Sequence, residues 1–255
     1  MNITPDTRIA DIATAKPATI KVFQRYNIDF CCGGKRPLAE ACQERHMTFG
    51  ELRFALEAAE AAGRPDLPSA EAPLQELVRF IVDHYHADLR EELPRLGQMA
   101  AKVLNVHGGR HPEVIPALEA TFRALREELE MHMMKEERVL FPYVVRLEEM
   151  AAAGRTLPTS PFGSIDAPIG AMEHEHDDAG RALARMRELT RGYRPPEGAC
   201  NTFRGLYHGL EQLETALHEH IHLENNVLFP RAARLERELM GREVGSPSCA
   251  PARCS

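Results

Sequence analysis

The sequence has neither an excess of basic residues nor a long apolar run. Its formal net charge is −7 at pH 7, which does not fit a nucleic-acid-binding protein with a broad basic face. No apolar run approaches the roughly eighteen residues of a membrane span, and the N-terminus lacks the apolar stretch of a signal peptide. We therefore expect a cytoplasmic protein that binds neither nucleic acid nor membrane.

Cysteine is also too sparse for a scaffold of disulfide bonds. The chain has 6 cysteines among 255 residues, and in a reducing compartment these are free thiols, metal ligands or redox groups. They are Cys31, Cys32, Cys42, Cys200, Cys249 and Cys254. Histidine is the stronger signal. Most of the 12 histidines lie between residues 84 and 222, often beside glutamate.

The sequence predicts an all-α protein with two folded units. The expected segments are a small N-terminal helical domain over 1–62, a linker over 63–73, a four-helix bundle over 74–240 and a disordered, cysteine-containing tail over 241–255. The linker, GRPDLPSAEAP, is rich in proline and small residues. The tail, GSPSCAPARCS, has the composition of a disordered segment.

Helix signals divide the N-terminal domain. Pro17 and Pro37 suit the first turns of two helices, and Thr48 with Glu51 forms a capping box ahead of a third. Between the first two helices lies IDFCCGG, residues 28–34, in which the glycines supply the backbone freedom for a chain reversal. The turn explains the glycines but not the two adjacent cysteines.

Four long helical patterns follow the linker. They run over about 74–106, with an expected bend at Pro94, and over about 112–151, 165–190 and 197–240. Loops with glycine and proline separate them. Four helices joined by modest loops predict an up-down-up-down bundle.

An internal repeat runs through this bundle. HMMKEERVLFP at 132–142 and HIHLENNVLFP at 220–230 share the pattern H-x3-E-x2-VLFP, and a histidine-bearing helix precedes each copy. Helical spacing places one histidine or one H-x3-E pair on the apolar face of each helix. These core-facing residues are His86, His132, Glu136, His176, His220 and Glu224.

Burying two carboxylates and four imidazoles in an apolar seam is costly unless positive charge compensates them. A single buried histidine is usually a hydrogen-bonded core residue, but four on matched faces with a duplicated H-x3-E indicate metal. A pair of metal ions resolves the conflict, because each glutamate can bridge both ions while two histidines cap each end. Nitrogen and oxygen ligands without sulfur suit iron, manganese or zinc.

With these motifs in hand, the bundle resembles hemerythrin-like domains, and IDFCCGGKRPLAEAC resembles the ScdA-type domain that precedes such bundles. Their order resembles the iron–sulfur cluster repair di-iron proteins (RIC, repair of iron centres). The resemblance implies a non-haem di-iron centre, oxo- and carboxylate-bridged, on the six residues named above. It also implies repair of clusters damaged by nitric oxide or peroxide, damaged iron–sulfur proteins as partners, NO or O2 as small ligands, and a homodimer.

Further residues are candidates for supporting roles. Glu128 and Glu175 lie close in sequence to predicted ligands, and His107 lies in a loop that could admit metal. Lys35 and Arg36 follow Cys31 and Cys32, which predicts an exposed pair with lowered pKa values that acts as a redox or metal-relay site. Cys249 and Cys254 have no place in the family pattern.

Three functions remain open from the sequence. The first is repair, in which the centre is a labile, redox-active iron store. The second is an enzyme, a di-iron nitric oxide reductase that forms nitrous oxide with metal polarisation of the substrate. The third is a sensor or carrier of O2 or NO. The bundle offers one histidine fewer than oxygen-carrying hemerythrins, which leaves coordination room and favours reactive binding over simple carriage.

Overall fold

A computed structural model describes residues 1–61, 67–155 and 162–241. The regular structure in these ranges is helical, and a single β-bridge within them pairs Arg8 with Pro37. The all-α prediction is confirmed. Most of the tail expected over 241–255, with Cys249 and Cys254, and the first part of the expected linker lie outside the described residues.

The N-terminal unit consists of four helices and one 3₁₀ turn. Their bounds are α1 Ile9–Ala15, the 3₁₀ turn Pro17–Thr19, α2 Ile20–Arg25, α3 Leu38–Glu44 and α4 Phe49–Ala61. The predicted capping box is formed: Thr48 Oγ1 accepts the Glu51 N–H at 3.2 Å, and Glu51 Oε2 accepts the Thr48 N–H at 2.8 Å. Helix α1 was not predicted, yet it contributes Ile9 and Ile12 to a core with residues of α2, α3 and α4.

The rest of the described chain forms the four-helix bundle. The first rod joins α5 Leu74–Phe80, a π-helical turn Ile81–His86 and α6 Ala87–His107. The second joins α7 Ile115–Lys135, a π turn Glu136–Leu140 and α8 Phe141–Ala152. The third is α9 Asp166–Leu189, and the fourth joins α10 Asn201–Leu223, a π turn Glu224–Leu228 and α11 Phe229–Gly241.

Each π turn coincides with a predicted ligand. His86 ends the first, Glu136 begins the second and Glu224 begins the third. In the two repeated motifs the turn is followed within two residues by Pro142 or Pro230, which has no N–H to donate to the preceding turn. The widened turn accommodates that missing donor, so VLFP marks a π turn. Pro94, in contrast, lies inside α6, and the irregularity of that rod is at 81–86.

The bundle has two apolar clusters with a polar layer between them. One cluster contains Leu77, Val144, Ile169 and Phe229, and the other contains Leu93, Phe122, Leu183 and Leu210. In each rod the predicted ligands lie near the point in the sequence where one cluster gives way to the other. Water is therefore excluded from both sides of the layer, which strengthens electrostatic interactions within it.

The N-terminal unit packs against the bundle through its cysteine-bearing loop. His222 Nδ1–H donates to the Phe30 carbonyl at 3.2 Å, and Asn226 Nδ2 donates to the Cys31 carbonyl at 3.0 Å. Lys35 adds an ion pair with Glu173 at 3.4 Å. No described helix is both long and apolar enough to cross a membrane.

Candidate metal centre

The six predicted ligands meet in the buried layer and form two groups. Site 1 contains His86, Glu136, His220 and Glu224, and site 2 contains His132, Glu136, His176 and Glu224. In each group the potential ligand atoms all lie within 4.8 Å of one another. Both glutamates thus belong to both sites. Each site also combines histidines from both copies of the repeat, an arrangement that the repeat alone did not indicate.

The carboxylates lie in bridging positions. Glu224 directs Oε1 to His220 Nε2 at 2.9 Å and Oε2 to His176 Nε2 at 3.1 Å, so each oxygen faces one site. Glu136 Oε2 is 3.4 Å from the Nε2 atoms of both His86 and His132. Because H-x3-E places the two side chains one helical turn apart on one face, each motif supplies a terminal and a bridging group.

Three of the four imidazoles are oriented by an acceptor on their far side. His86 Nδ1–H donates to Glu137 Oε1 at 2.7 Å, and His132 Nδ1–H donates to Glu175 Oε2 at 2.9 Å. His176 Nδ1–H donates to Asn225 Oδ1 at 2.8 Å. Each ring therefore presents Nε2 to the centre, which is the usual support of metal-bound histidine.

These residues fit a pair of cations. Since Nδ1 of both His132 and His176 acts as a donor, their Nε2 atoms face each other 3.0 Å apart and need a proton or a cation between them. Among the described residues, both oxygens of Glu136 are buried without a hydrogen bond. An unsatisfied buried carboxylate and two facing imidazole nitrogens are both costly without positive charge between them.

The protonation of the layer leads to the same conclusion. Burial opposes charge on His132, but Glu136 and Glu224 outweigh that effect and raise the pKa of His132 to about 9. Burial likewise opposes charge on Glu224, yet the positive charge and hydrogen bonds of His220 and His176 hold the pKa of Glu224 well below its usual value. The carboxylates thus need neighbouring positive charge, which either imidazole protons or metal cations supply.

Each site borders a cavity of its own. His220 of site 1 lines a cavity of about 230 Å³, together with Tyr85, whose ring stacks on His220 at a centroid distance of 5.2 Å. His132 and His176 of site 2 line a second cavity of about 420 Å³. Glu128 lines this second cavity and has no described contact with a ligand atom. The centre is therefore buried yet accessible to small molecules.

The structure places His107 away from this centre. His107 ends α6, the helix that His86 precedes, and a helix of this length spans about 30 Å. Its Nε2 lies 3.3 Å from Cys200 Sγ, and its ring packs on Phe203. A role for His107 at the centre therefore has no geometric support.

The cysteine pair differs from the exposed, acidic pair that the sequence suggested. Cys31 is buried, and a hydrogen bond with Cys32, burial and the charge of Asp29 raise the pKa of Cys31 well above its usual value. The nearby cations are engaged elsewhere, since Lys35 pairs with Glu173 and Arg36 with Glu44. Sequence proximity to basic residues was therefore misleading.

The pair nevertheless lies against the centre's framework. Cys32 Sγ is 3.7 Å from the backbone carbonyl oxygen of His176. Asp29 holds the loop by accepting the N–H groups of Cys31, Cys32 and Gly33 at 3.0, 3.1 and 2.9 Å. The loop thus contacts two helical segments that carry predicted ligands, α9 and the π turn after α10.

Sequence reasoning missed three supporting residues. Glu137 and Asn225 each follow a predicted ligand directly, and their side chains orient a histidine of another rod. His222 is the third, and it is buried against the cysteine loop. In the sequence, a polar residue follows the glutamate of each H-x3-E motif and could have indicated such a support. Spacing alone did not reveal which histidine it contacts.

Comparison with known proteins agrees with this architecture. A family model described as hemerythrin HHE cation binding domain matches residues 77–232, and one described as ScdA_N, Domain of Unknown function (DUF542), matches residues 5–60. The chain is similar to "Iron-sulfur cluster repair protein YtfE" of Pectobacterium carotovorum, with 43% identity over 91% of this chain and 98% of that protein. It is also similar to the protein of the same name from Yersinia pseudotuberculosis, with 42% identity over 88% of this chain and 96% of that protein. The chain therefore belongs to the YtfE family of iron–sulfur cluster repair proteins, with a ScdA_N domain ahead of a hemerythrin HHE domain.

Proposed function

We propose that this protein repairs damaged iron–sulfur clusters and that its bundle holds a di-iron centre for that purpose. The observation that carries the proposal is the sharing of Glu136 and Glu224 by two buried ligand groups. The YtfE relatives are named as iron–sulfur cluster repair proteins, and this chain aligns with nearly their whole length. The proposed clients are iron–sulfur proteins that have lost or damaged clusters.

The donor set supports iron as the metal. Imidazole nitrogen and carboxylate oxygen, without thiolate, suit iron as they suit manganese and zinc, and the repair of iron–sulfur clusters named for the relatives favours iron among these. The proposed ligands are His86, His132, Glu136, His176, His220 and Glu224. Iron held by these residues would supply one-electron redox chemistry and a store of exchangeable iron.

The surrounding residues hold and shield that chemistry. Glu137, Glu175 and Asn225 keep three imidazoles oriented with Nε2 inward. The apolar clusters on both sides exclude bulk water, while the two adjoining cavities suit diatomic ligands such as NO or O2. A labile store needs access of this kind, because a fully enclosed site would exchange its ion slowly.

The N-terminal unit is proposed to serve this centre as a separate domain of about residues 1–62. Of its two adjacent thiols, Cys32 suits a relay better than Cys31, because Cys32 is less buried and contacts the backbone of His176. The homodimer expected from the family resemblance stays a prediction.

The test is repair of a damaged client enzyme. A purified enzyme with a nitrosylated cluster should regain activity faster with iron-loaded protein than with the same amount of free ferrous iron. The Glu136→Ala and Glu224→Ala variants should fail to retain iron and should give no more than the free-iron rate. Equal recovery with free iron would reject repair, and catalytic turnover of NO to nitrous oxide would instead identify a reductase.

A further inference from the structure

A cleft of about 780 Å³ separates the cysteine loop from part of the bundle. Its walls come from the loop after α2, from α9 and the turn that follows it, and from α10. Cys32 lies on its wall, and none of the six predicted metal ligands lines it. The cleft is thus distinct from the two cavities at the metal centre.

Charged residues of both signs line the cleft, and four of them, all exposed, have no ion-pair partner among the described residues. In the described part of the chain, Arg25 and Arg194 have no carboxylate partner, and Arg25 stacks only on the ring of Tyr26. On the acidic side, Asp177 and Glu211 have no cationic partner within the same described ranges. Arg187 and Glu214, which also line the cleft, form an ion pair with each other.

Two residues in the cleft wall have left-handed backbone conformations. Asn27 has φ 50°, which asparagine adopts readily just after a helix, whereas Tyr193 has φ 56°, which bulky residues seldom adopt. Such strain persists only where the surrounding structure holds it in place, and it concentrates at ligand sites. The two residues belong to opposite walls, one in the N-terminal unit and one in the bundle.

The size and charges define the class of ligand. Small-molecule sites commonly enclose about 300–1,000 Å³, which suits a peptide of two or three residues. Guanidinium groups bind carboxylates with paired hydrogen bonds, and carboxylates bind ammonium groups. A ligand that satisfies Arg25, Arg194, Asp177 and Glu211 together therefore carries carboxylates and an ammonium group.

We propose that this cleft binds a small zwitterionic peptide thiol, with its carboxylates at Arg25 and Arg194 and its sulfur beside Cys32. The site brings an external thiol to Cys32, whose Sγ contacts the backbone of α9. The inference goes beyond cluster repair and is independent of it, because metal-free protein retains every residue of the cleft.

Direct binding is the first test. Reduced glutathione is titrated into metal-free, full-length protein by isothermal calorimetry, with the Arg25→Ala/Arg194→Ala variant in parallel. We expect saturable binding that weakens about tenfold in this variant, since two charge-assisted contacts are lost. Arg123→Ala on the surface of α7, where Arg123 pairs with Glu119, is the matched control and should bind normally. Absent binding, or equal weakening in the control, would overturn the site.

Placement of the sulfur is the second test, with glutathione disulfide as probe. The Cys32 thiolate attacks one disulfide sulfur, a Cys32–glutathione disulfide bond forms, the original S–S bond breaks, and one glutathione leaves as its thiolate. Peptide mapping should find Cys32 modified at least tenfold faster by this probe than by the neutral bis(2-hydroxyethyl) disulfide. That preference should fall to about one in the Arg25→Ala/Arg194→Ala variant. Unchanged preference there would overturn the proposal, whatever the outcome of the repair assay.

Discussion

Asn225 Oδ1 accepts a hydrogen bond of 2.8 Å from His176 Nδ1. The next residue, Asn226, points the other way and donates from Nδ2 to the Cys31 carbonyl at 3.0 Å. Both belong to the π turn Glu224–Leu228. Two adjacent residues of the same chemistry thus support different parts of the protein, one the metal centre and the other the cysteine loop.

Replacing Asn225 should weaken metal retention. In Asn225→Ala the His176 ring loses the acceptor that fixes its orientation, and loss of such a support typically costs 10- to 100-fold in metal affinity, about the size expected here. The measurement is retention of ferrous iron against a competing chelator under anaerobic conditions. Asn226→Ala is the matched control and should retain iron as the wild type does. Equal losses in both variants would contradict the distinct role of Asn225.

Replacing Asn226 should loosen the cysteine loop instead. The Cys31 carbonyl loses its hydrogen bond, which lowers the free energy of unfolding by about 1 kcal/mol in urea denaturation of metal-free protein. Alkylation of Cys31 in the folded state should accelerate at the same time, because the loop opens more often. An Asn226→Ala protein with unchanged Cys31 alkylation would show that the loop is held by other contacts.

Cys31 should react slowly with alkylating agents until the pH is high. Its pKa is raised in the folded protein by the hydrogen bond with Cys32, by burial and by Asp29, whereas the unfolded chain ionises near 9.0. In the folded protein the Cys31 thiol therefore keeps its proton above that pH. The contribution of Cys31 to the free energy of unfolding accordingly falls as pH rises past 9.0. The ionisation of Cys31 is measured by iodoacetamide labelling from pH 7 to 10 with peptide mapping, in folded and in urea-unfolded protein. Labelling of folded Cys31 as fast as the exposed Cys200 at pH 8 would refute it.

Metal should stabilise the fold through both bridging carboxylates. A metal that binds only the native state raises the free energy of unfolding by about 4 kcal/mol at a thousand times its Kd. Wild-type protein should therefore melt at a higher temperature with ferrous iron than after chelation. In Glu136→Ala the difference should be small, because this residue serves both sites. A stabilisation as large as in the wild type would exclude Glu136 as a ligand.

Two helical glycines should respond oppositely to substitution by alanine. A Cβ at Gly209 would lie 2.5 Å from Cδ2 of the buried Leu96, so Gly209→Ala should destabilise the contact of α10 with α6 by about 1–3 kcal/mol. A Cβ at Gly170 in α9 would meet nothing within 4 Å, so Gly170→Ala should stabilise by about 0.5–1 kcal/mol through helix propensity. Chemical denaturation of metal-free protein measures both, and a shift of the same sign in the two variants would contradict the packing argument.

Periodicity was enough to find the bundle and the faces of its helices. His132 and Glu136 continue an apolar stripe with helical spacing, and the same holds for His220 and Glu224, so their inward direction follows from 3.6 residues per turn. The helix cap at Thr48 was equally local, since its partner is three residues away. Such features depend on neighbours in sequence, which is why they could be predicted.

The π turns and the supports of the histidines could not be predicted in this way. A π turn preserves a nearly continuous helical pattern, so the interruptions at Glu136 and Glu224 left no clear mark beyond the proline that follows. Glu137 and Asn225 are one residue from a ligand in sequence but support histidines on other rods. Which acceptor meets which imidazole depends on the rotation of whole helices.

The sequence by itself determined an all-α chain, a capped N-terminal unit and a layer of histidine and glutamate in a four-helix bundle, because each of these follows from spacing along a helix. The tertiary structure decided which ligands share a site, and it buried Cys31 against Asp29 and Cys32 instead of activating it with Lys35 and Arg36. Those outcomes depend on distances between segments that are far apart in sequence, since desolvation and charge act through space and not along the chain.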